Sequence, residues 1–438
     1  MSLQLFLGSA GSGKSYQMYR DVINMSKRNP NTEHLIIVPE QFTLQTQKDI
    51  VKMHPQHGVM NVDILSFLRF AYRIFDETAS GDYPILEDTG KSMVIRKVIA
   101  DKKKDLHLFS SNVKKKGFIN ELKSFLSELY QYNIRPDEFH KLMEASENKT
   151  ILKTKLADVL TIYEGFRNFM KERYITAEEV LILLNEVIGK SQWLKNSVIY
   201  LDGFTGFTPS QYQILKQMML HAKKVMVTVT IDPRETLECG DNQHQLFALS
   251  KKTIEKLYAI ADETNTIIED PIYAEDKGDG LIPYRFINSP ALASLEHNIF
   301  RYPYETYEKK QDQVSIYSTR DAEEEMLFVA RQIERLVSKE GYRYMDMAVV
   351  TGDIETYNTF AEGIFTKAKI PCFIDYKKKI LGNPFAELIR SAISIIIEDF
   401  SYESVFRYLR SGLSQISIDD IDVFNNYVYN SFFQYVCT

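Results

Sequence analysis

The chain opens with a short apolar segment, Leu-Gln-Leu-Phe-Leu at residues 3–7, followed at once by a glycine-rich motif. The eight motif residues are Gly8, Ser9, Ala10, Gly11, Ser12, Gly13, Lys14 and Ser15. They match the full G-x-x-x-x-G-K-[ST] phosphate-loop pattern, between a predicted strand and a predicted helix. In that setting backbone N–H groups hold phosphates, the lysine contacts the β and γ phosphates, and the serine hydroxyl binds Mg²⁺. The motif predicts binding of a nucleoside triphosphate; a turn that only caps a helix is the alternative.

A site of this kind also needs an acidic residue at the end of another buried strand. Residues 198–201 read Val-Ile-Tyr-Leu, and Asp202 follows them. We expect Ser15 and Asp202 to hold Mg²⁺; the alternative is that Asp202 only starts a turn at Gly203. Gly203 stands where a water-orienting glutamate often follows, and its absence predicts a rate loss of roughly 10²–10⁴. The sequence therefore favours a site that holds ATP rather than one that splits it, and it assigns no catalytic residue.

The elements around these residues alternate between strands and helices. A helix is predicted at 14–27, strands at 34–38 and 59–65, and a helix at 66–75. Strand patterns return at 197–202 and 225–232. Such alternation predicts an α/β fold with a parallel sheet flanked by helices. Between about 88 and 188 the apolar residues recur at helical spacing, with a capping box at 176–179, which predicts an all-helical insertion.

A second α/β pattern begins near residue 313. Strands are predicted at 314–317, 347–351 and 372–374, and helices at 322–339, 354–368 and 384–398. No strand pattern completes this lobe after residue 402. We therefore predict four segments: 1–85, the first part of lobe one with the phosphate loop; 86–195, the helical insertion; 196–285, the second part of lobe one; and 286–438, an incomplete second lobe.

Composition narrows the function classes. With a net charge of −6 over 438 residues, any contact with nucleic acid must come from local patches. The lysine runs at 102–104, 114–116 and 377–379 are candidates, although such runs usually form solvated faces. Cys239, Cys372 and Cys437 are far apart and predict neither a zinc site nor a disulfide framework. No stretch is long and apolar enough to span a bilayer, so we expect a cytoplasmic protein with no membrane partner.

Longer runs resemble the B-subunit family of the bacterial AddAB helicase–nuclease, which is related to superfamily 1 helicases. They lie at residues 6–15, 37–43, 64–67, 71–73, 200–209, 341–350 and 406–413. The run Asp-Gly-Phe-Thr-Gly-Phe-Thr-Pro at 202–209 is the most discriminating. The resemblance implies two RecA-like lobes and a heterodimer with an AddA-type subunit that supplies the motor. It also implies ATP binding by a non-motor chain, binding of single-stranded and duplex DNA, recognition of Chi, and double-strand break repair by homologous recombination.

The chain also departs from this family. Members are much longer and carry a carboxyl-terminal nuclease domain with a [4Fe–4S] cluster, whereas nothing after Gly412 resembles the nuclease motifs. We therefore expect an amino-terminal portion that lacks the nuclease and the cluster. Two alternatives stay open: a DNA-stimulated ATPase or other phosphate-loop enzyme such as a kinase, which recruits an acid such as Glu40, and a structural partner whose loop is a relic.

Overall fold

The computed structural model describes residues 1–58, 61–79, 84–109, 116–132, 134–145, 150–171, 173–238, 244–274, 284–376 and 380–436. The chain divides into two compact units, Met1–Val314 and Ser315–Thr438.

The amino-terminal unit is built on a parallel sheet. In the described residues its strands are β1 (Ser2–Gly8), β2 (Glu33–Ile37), β3 (Val62–Leu65), β4 (Ser197–Leu201), β5 (Lys224–Thr230), β6 (Ile267–Ile268) and β7 (Ile272–Tyr273). The strand order is β3-β2-β4-β5-β1, and both β6 and β7 pair with β1. Because every pairing is parallel, all carboxyl ends of the strands meet at one edge of the sheet. The predicted parallel α/β sheet is confirmed.

Helices cover both faces of this sheet. The first three are α1 (Lys14–Arg28), α2 (Thr43–Met53) and α3 (Phe67–Thr78). Successive side chains of a strand point to opposite faces, so Leu5 and Leu7 join a core with α3, whereas Phe6 joins a core with α1 and α2. The near-continuous apolar sequence of β1 is thus explained by burial on both sides.

The chain between β3 and β4 is largely helical, as its periodicity predicts. Its helices are α4 (Asp88–Asp101), α5 (Lys116–Gln131), α6 (Pro136–Ala145), α7 (Thr150–Met170), α8 (Ala177–Val187) and α9 (Gln192–Lys195). Helices α4 to α7 share a separate apolar core that includes Ile99, Leu122 and Phe166. The predicted capping box is present, with Thr176 and Glu179 exchanging hydrogen bonds at the start of α8. The four predicted domain boundaries themselves stay predictions.

Further helices follow β4 in this unit, and the described ones are α10 (Pro209–His221), α11 (Ala248–Glu263) and α12 (Pro290–Asn298). Helix α10 starts with a second capping box, in which the Thr208 side chain accepts from the Gln211 N–H and the Gln211 side chain accepts from the Thr208 N–H. Helices α10 and α11 pack their apolar faces, including Ile214 and Leu257, on the same side of the sheet as α3.

The carboxyl-terminal unit is helical in its described residues. It contains α13 (Ala322–Glu340), α14 (Ile354–Lys367), α15 (Pro384–Ile397), α16 (Tyr402–Leu409) and α17 (Ile418–Val436). Helices α13 and α14 share a small core around Ala330, Ile364 and Phe365. Across the described part of the chain, no helix combines the length and the apolar character needed to cross a bilayer.

The strands predicted in this unit are not formed. Residues 314–317, 347–351 and 372–374 are irregular, and Ile316, Val350 and Phe373 are at least 90% exposed. These segments carry β-forming residues, but a strand also requires a neighbouring backbone to pair with its N–H and C=O groups. Local sequence alone therefore overestimated the strand content of this unit, and a second RecA-like sheet is not confirmed.

Candidate nucleotide site

The phosphate-loop motif lies at the carboxyl edge of the sheet. Gly8 ends β1, residues 9–13 form the loop, and Lys14 and Ser15 begin α1. The hydroxyl of Ser12 donates to the carbonyl of Ser9 (2.9 Å), and the Ser12 N–H donates to the same oxygen (3.2 Å). The loop therefore forms a tight turn that leads directly into the amino terminus of a fifteen-residue helix, a position that favours anions.

Lys14 is almost fully buried, with 8% of its surface exposed. Its Nζ donates to the carbonyl oxygen of Ser9 (2.8 Å), so the ammonium group lies across the mouth of the loop. Burial lowers the pKa of Lys14 to about 8; the charge of Asp202 opposes this shift and the charge of Arg285 adds to it. The Lys14 ammonium is thus kept near the midpoint of its titration at weakly alkaline pH.

Asp202 follows β4 and is 4% exposed. In the described residues, its carboxylate accepts hydrogen bonds from the hydroxyls of Ser15 (3.1 Å), Thr228 (2.6 Å) and Tyr19 (2.6 Å). The fold thus joins the loop after β1 to the end of β4, although 187 residues separate Ser15 from Asp202. This juxtaposition is the arrangement that the sequence predicted for the two residues.

Tyr19 and Thr228 are site residues that sequence reasoning missed. Tyr19 lies one helical turn after Ser15 on α1, so helical spacing alone could have flagged it. Thr228 lies on β5, which separates β4 from β1 in the sheet, and nothing in the sequence signals that position. Burial, and then the neighbouring Asp202, raise the pKa of Tyr19, so its phenol stays protonated and donates to the carboxylate.

Arg285 is a third missed residue. It belongs to the short 3-10 helix Tyr284–Phe286, and its N–H donates to the carbonyl of Gly11 (3.3 Å). Its side chain lies so close to Gly11 that a Cβ there would be 2.8 Å from Arg285 Nε, and Gly11 also has a φ of +83°. Both facts require glycine at this position. The contact brings a second cation to the loop from a distant, irregular segment.

The residues present suit Mg²⁺. This ion prefers oxygen ligands and usually takes one or two carboxylates together with phosphates and waters. The oxygens of Ser15 and Asp202 lie 3.1 Å apart beside the loop, and the described residues contain no cluster of three or more His, Cys, Asp and Glu that would form a site without phosphate. A metal here would therefore depend on the nucleotide.

Gly203 has a φ of +77°, in the left-handed region that favours glycine. A carboxylate-bearing residue would be strained there, which gives a backbone reason for the missing glutamate. Glu40 begins the 3-10 helix Glu40–Phe42, with its side chain exposed and its carbonyl accepting from Thr43 Oγ1 (2.9 Å). Its role as a recruited acid stays a prediction.

The remaining predicted features lie elsewhere. Cys372 is exposed, and Cys239 and Cys437 fall outside the described residues. The lysines at 102–104 are exposed, which suits a solvated face, and the side chains of the runs at 114–116 and 377–379 lie outside the described part of the chain.

We expect nucleotide affinity to depend on the charge of Lys14. Since its pKa is about 8 and phosphates stabilise the ammonium form, binding raises this pKa and takes up a proton. Affinity is then retained below pH 8 and lost above it, by about 30-fold at 1.5 pH units above the pKa. Titration calorimetry in buffers of different ionisation enthalpy measures both effects. An affinity that is constant from pH 7 to about 9.5, with no proton uptake, would contradict this prediction.

The fold and this edge define an α/β protein with a parallel sheet and a phosphate-loop motif that faces a buried aspartate. Residues 5–296 match the family described as ADDB, N-terminal. The chain belongs to the AddB family.

Individual relatives agree with this assignment. The chain is 48% identical over 428 residues to the B subunit of the ATP-dependent helicase/deoxyribonuclease of Lachnoclostridium phytofermentans. It is 35% identical to the protein of the same name from Clostridium kluyveri and 34% identical to that from Acetivibrio thermocellus. Each match covers 98% of this chain and 37% of the relative, so the chain spans little more than a third of the length of these relatives.

Proposed function

We propose that this chain is an ATP-binding and DNA-binding part of the B subunit of a helicase–nuclease that acts in double-strand break repair by homologous recombination. It binds ATP with Mg²⁺ at residues 8–15 and Asp202, and it is not itself the motor. The observation that carries the proposal is the hydrogen bond from Ser15 to the buried Asp202, beside the Lys14 ammonium.

The charge balance of the site supports binding of a polyphosphate. Lys14 and Arg285 bring two cations to the loop, and the amino terminus of α1 adds its dipole. Ser15 and Asp202 supply the oxygens that a phosphate-bound Mg²⁺ requires. Gly203, with its positive φ, offers no carboxylate to orient an attacking water, which supports holding of ATP over its hydrolysis.

The same edge of the sheet offers a surface for DNA. Phe42 is 45% exposed and lies beside Gly203, where a Cβ would be 3.8 Å from its ring. Behind it, Phe67, Phe204 and Phe207 form a chain of ring contacts with centroids 5.0–6.4 Å apart. Exposed aromatic side chains are the platforms on which single-stranded bases stack. DNA bound here would lie next to the nucleotide.

The names of the relatives extend the proposal. The B subunit of an ATP-dependent helicase/deoxyribonuclease implies an AddA-type partner that supplies the motor, and DNA as the substrate of the complex. Following the family resemblance, we assign recognition of Chi as single-stranded DNA to this chain. We also assign it the two-lobe RecA-like arrangement, with α4 to α9 as the insertion in the first lobe.

Replacing Lys14 by alanine tests the proposal. We expect the affinity for a fluorescent ATP analogue with Mg²⁺ to fall about 100-fold, because charge-assisted hydrogen bonds to the phosphates are lost. Lys52→Ala, an exposed lysine near the far end of α2, is the matched control and leaves affinity unchanged. Equal affinity of the wild-type and Lys14→Ala proteins would refute the nucleotide site.

The same proteins decide between holding and hydrolysis. We expect phosphate release below about 1 s⁻¹ with or without single-stranded DNA, since ordinary enzymes turn over at or above this rate. DNA-stimulated turnover at ordinary rates that Lys14→Ala abolishes would favour the active ATPase instead.

A further inference from the structure

The Asp202 carboxylate is more tightly held than binding of nucleotide alone requires. Its Oδ1 accepts from Ser15 and Thr228, and its Oδ2 accepts from Tyr19. The donors come from α1 and from β5, two elements that flank the loop. Since Asp202 is 4% exposed, water reaches it poorly, and these hydroxyls compensate for the lost hydration of its charge.

We propose that Tyr19 and Thr228 are positioning residues for Mg²⁺ at this site: they fix the Asp202 carboxylate so that Ser15 and Asp202 together favour the metal-bound nucleotide over the free nucleotide. This inference rests on the proposed nucleotide site. It adds that the preference for the metal is set by two residues that do not touch the metal or the nucleotide.

The hydrogen-bond capacities of the groups support this assignment. A carboxylate offers about four lone-pair positions, and the three hydroxyls use three of them. The free position is on Oδ2, the oxygen that Tyr19 orients. The Ser15 hydroxyl donates its single proton to Asp202, which leaves its own lone pairs for a cation. The cluster thus presents oxygen lone pairs, and not protons, to an ion bound beside the loop.

Tyr19 is suited to fix the carboxylate because its ring cannot move freely. It is 8% exposed and packs with Phe6, Ile36 and Ile64 in the core between α1 and the sheet. Its hydroxyl also lies 3.4 Å from Thr46 Oγ1 on α2. Thr228 is equally constrained, as a buried residue of β5 in register with Phe6 of β1. Groups held in this way orient metal ligands, and their removal typically costs about 10- to 100-fold in metal affinity.

Tyr19→Phe and Thr228→Val remove the hydroxyls and keep the packing volume. The matched control is Tyr200→Phe, which deletes another buried phenol from the same core, one that bonds to His34 (3.2 Å). Binding of a fluorescent ATP analogue is measured for each full-length protein in Mg²⁺ and in EDTA. Circular dichroism and thermal unfolding verify that each variant is folded.

We expect the wild-type protein to bind more tightly in Mg²⁺ than in EDTA. Tyr19→Phe and Thr228→Val each reduce this ratio by about 10-fold or more, through weaker binding in Mg²⁺, while affinity in EDTA stays within about twofold. Tyr200→Phe keeps the wild-type ratio. An unchanged ratio in both Tyr19→Phe and Thr228→Val, or an equal loss of affinity in both buffers, would overturn the positioning role. Wild-type protein that binds no nucleotide in either buffer would instead overturn the proposed site itself.

Discussion

Replacing Asp232 by alanine is expected to lower the free energy of unfolding of the amino-terminal unit by about 3–5 kcal/mol. Asp232 follows β5 and is 1% exposed. Its carboxylate accepts from the backbone N–H (2.9 Å) and the guanidinium of Arg234, and from Arg301 (2.7 Å). Deleting the anion leaves two guanidinium groups close together without their counter-charge, which is why the effect is large.

The effect also reaches the candidate site. Arg301 lies just after α12, in the segment that carries Arg285 to the loop. Burial alone would raise the pKa of Asp232, but hydrogen bonds from Arg234 and the charge of Arg301 lower it below its ordinary value. The stabilisation is therefore present at neutral pH and is lost as the pH falls through about 4 and below.

Denaturant unfolding measures this prediction through the single tryptophan of the chain, Trp193, which packs against Phe70 in this unit. The control is Glu263→Ala, which removes an exposed carboxylate that forms an ion pair with Lys216 (2.8 Å). Exposed pairs contribute less than about 1 kcal/mol. Equal small losses in Asp232→Ala and Glu263→Ala would show that the ion cluster is not a determinant of stability.

Replacing Asp158 by alanine is expected to destabilise the helices between β3 and β4 by about 3 kcal/mol. Asp158 on α7 is fully buried. Its carboxylate accepts from the backbone N–H groups of His107 (3.0 Å), Leu108 (2.7 Å) and Phe109 (2.9 Å), which form the loop after α4. Without the carboxylate, these buried donors lose their acceptor, and each such loss is costly.

Hydrogen exchange at residues 107–109 and thermal unfolding measure the effect. Asp105→Ala is the control, because Asp105 lies in the same loop, has a side chain that is 60% exposed and forms an ion pair with Lys102 (3.7 Å). We expect faster exchange at 107–109 in Asp158→Ala alone. Wild-type protection of these amides in Asp158→Ala would mean that water or another group replaces the carboxylate.

Much of the fold was readable from local sequence. The buried strands of the sheet, the helix after the phosphate loop and the capping box at Thr176 follow from apolar runs, glycine placement and short-range hydrogen bonding. The carboxyl-terminal unit was less predictable. Its apolar segments at 314–317, 347–351 and 372–374 looked like strands because residue preference is local, whereas strand pairing depends on a neighbour elsewhere in the chain.

The sequence by itself determined the parallel α/β sheet, the phosphate-loop motif and the choice of Asp202 as its acidic counterpart, because each is a pattern within a short stretch of residues. Only the tertiary structure decided what surrounds them. It placed Thr228 beside Asp202 through the strand order, and it brought Arg285 onto Gly11 from a distant segment. It also gave Gly203 a positive φ, so a residue that reads as a missing glutamate is one that the backbone requires to be glycine. Spacing along the chain carries no information on such contacts, since they arise only when separate elements pack together.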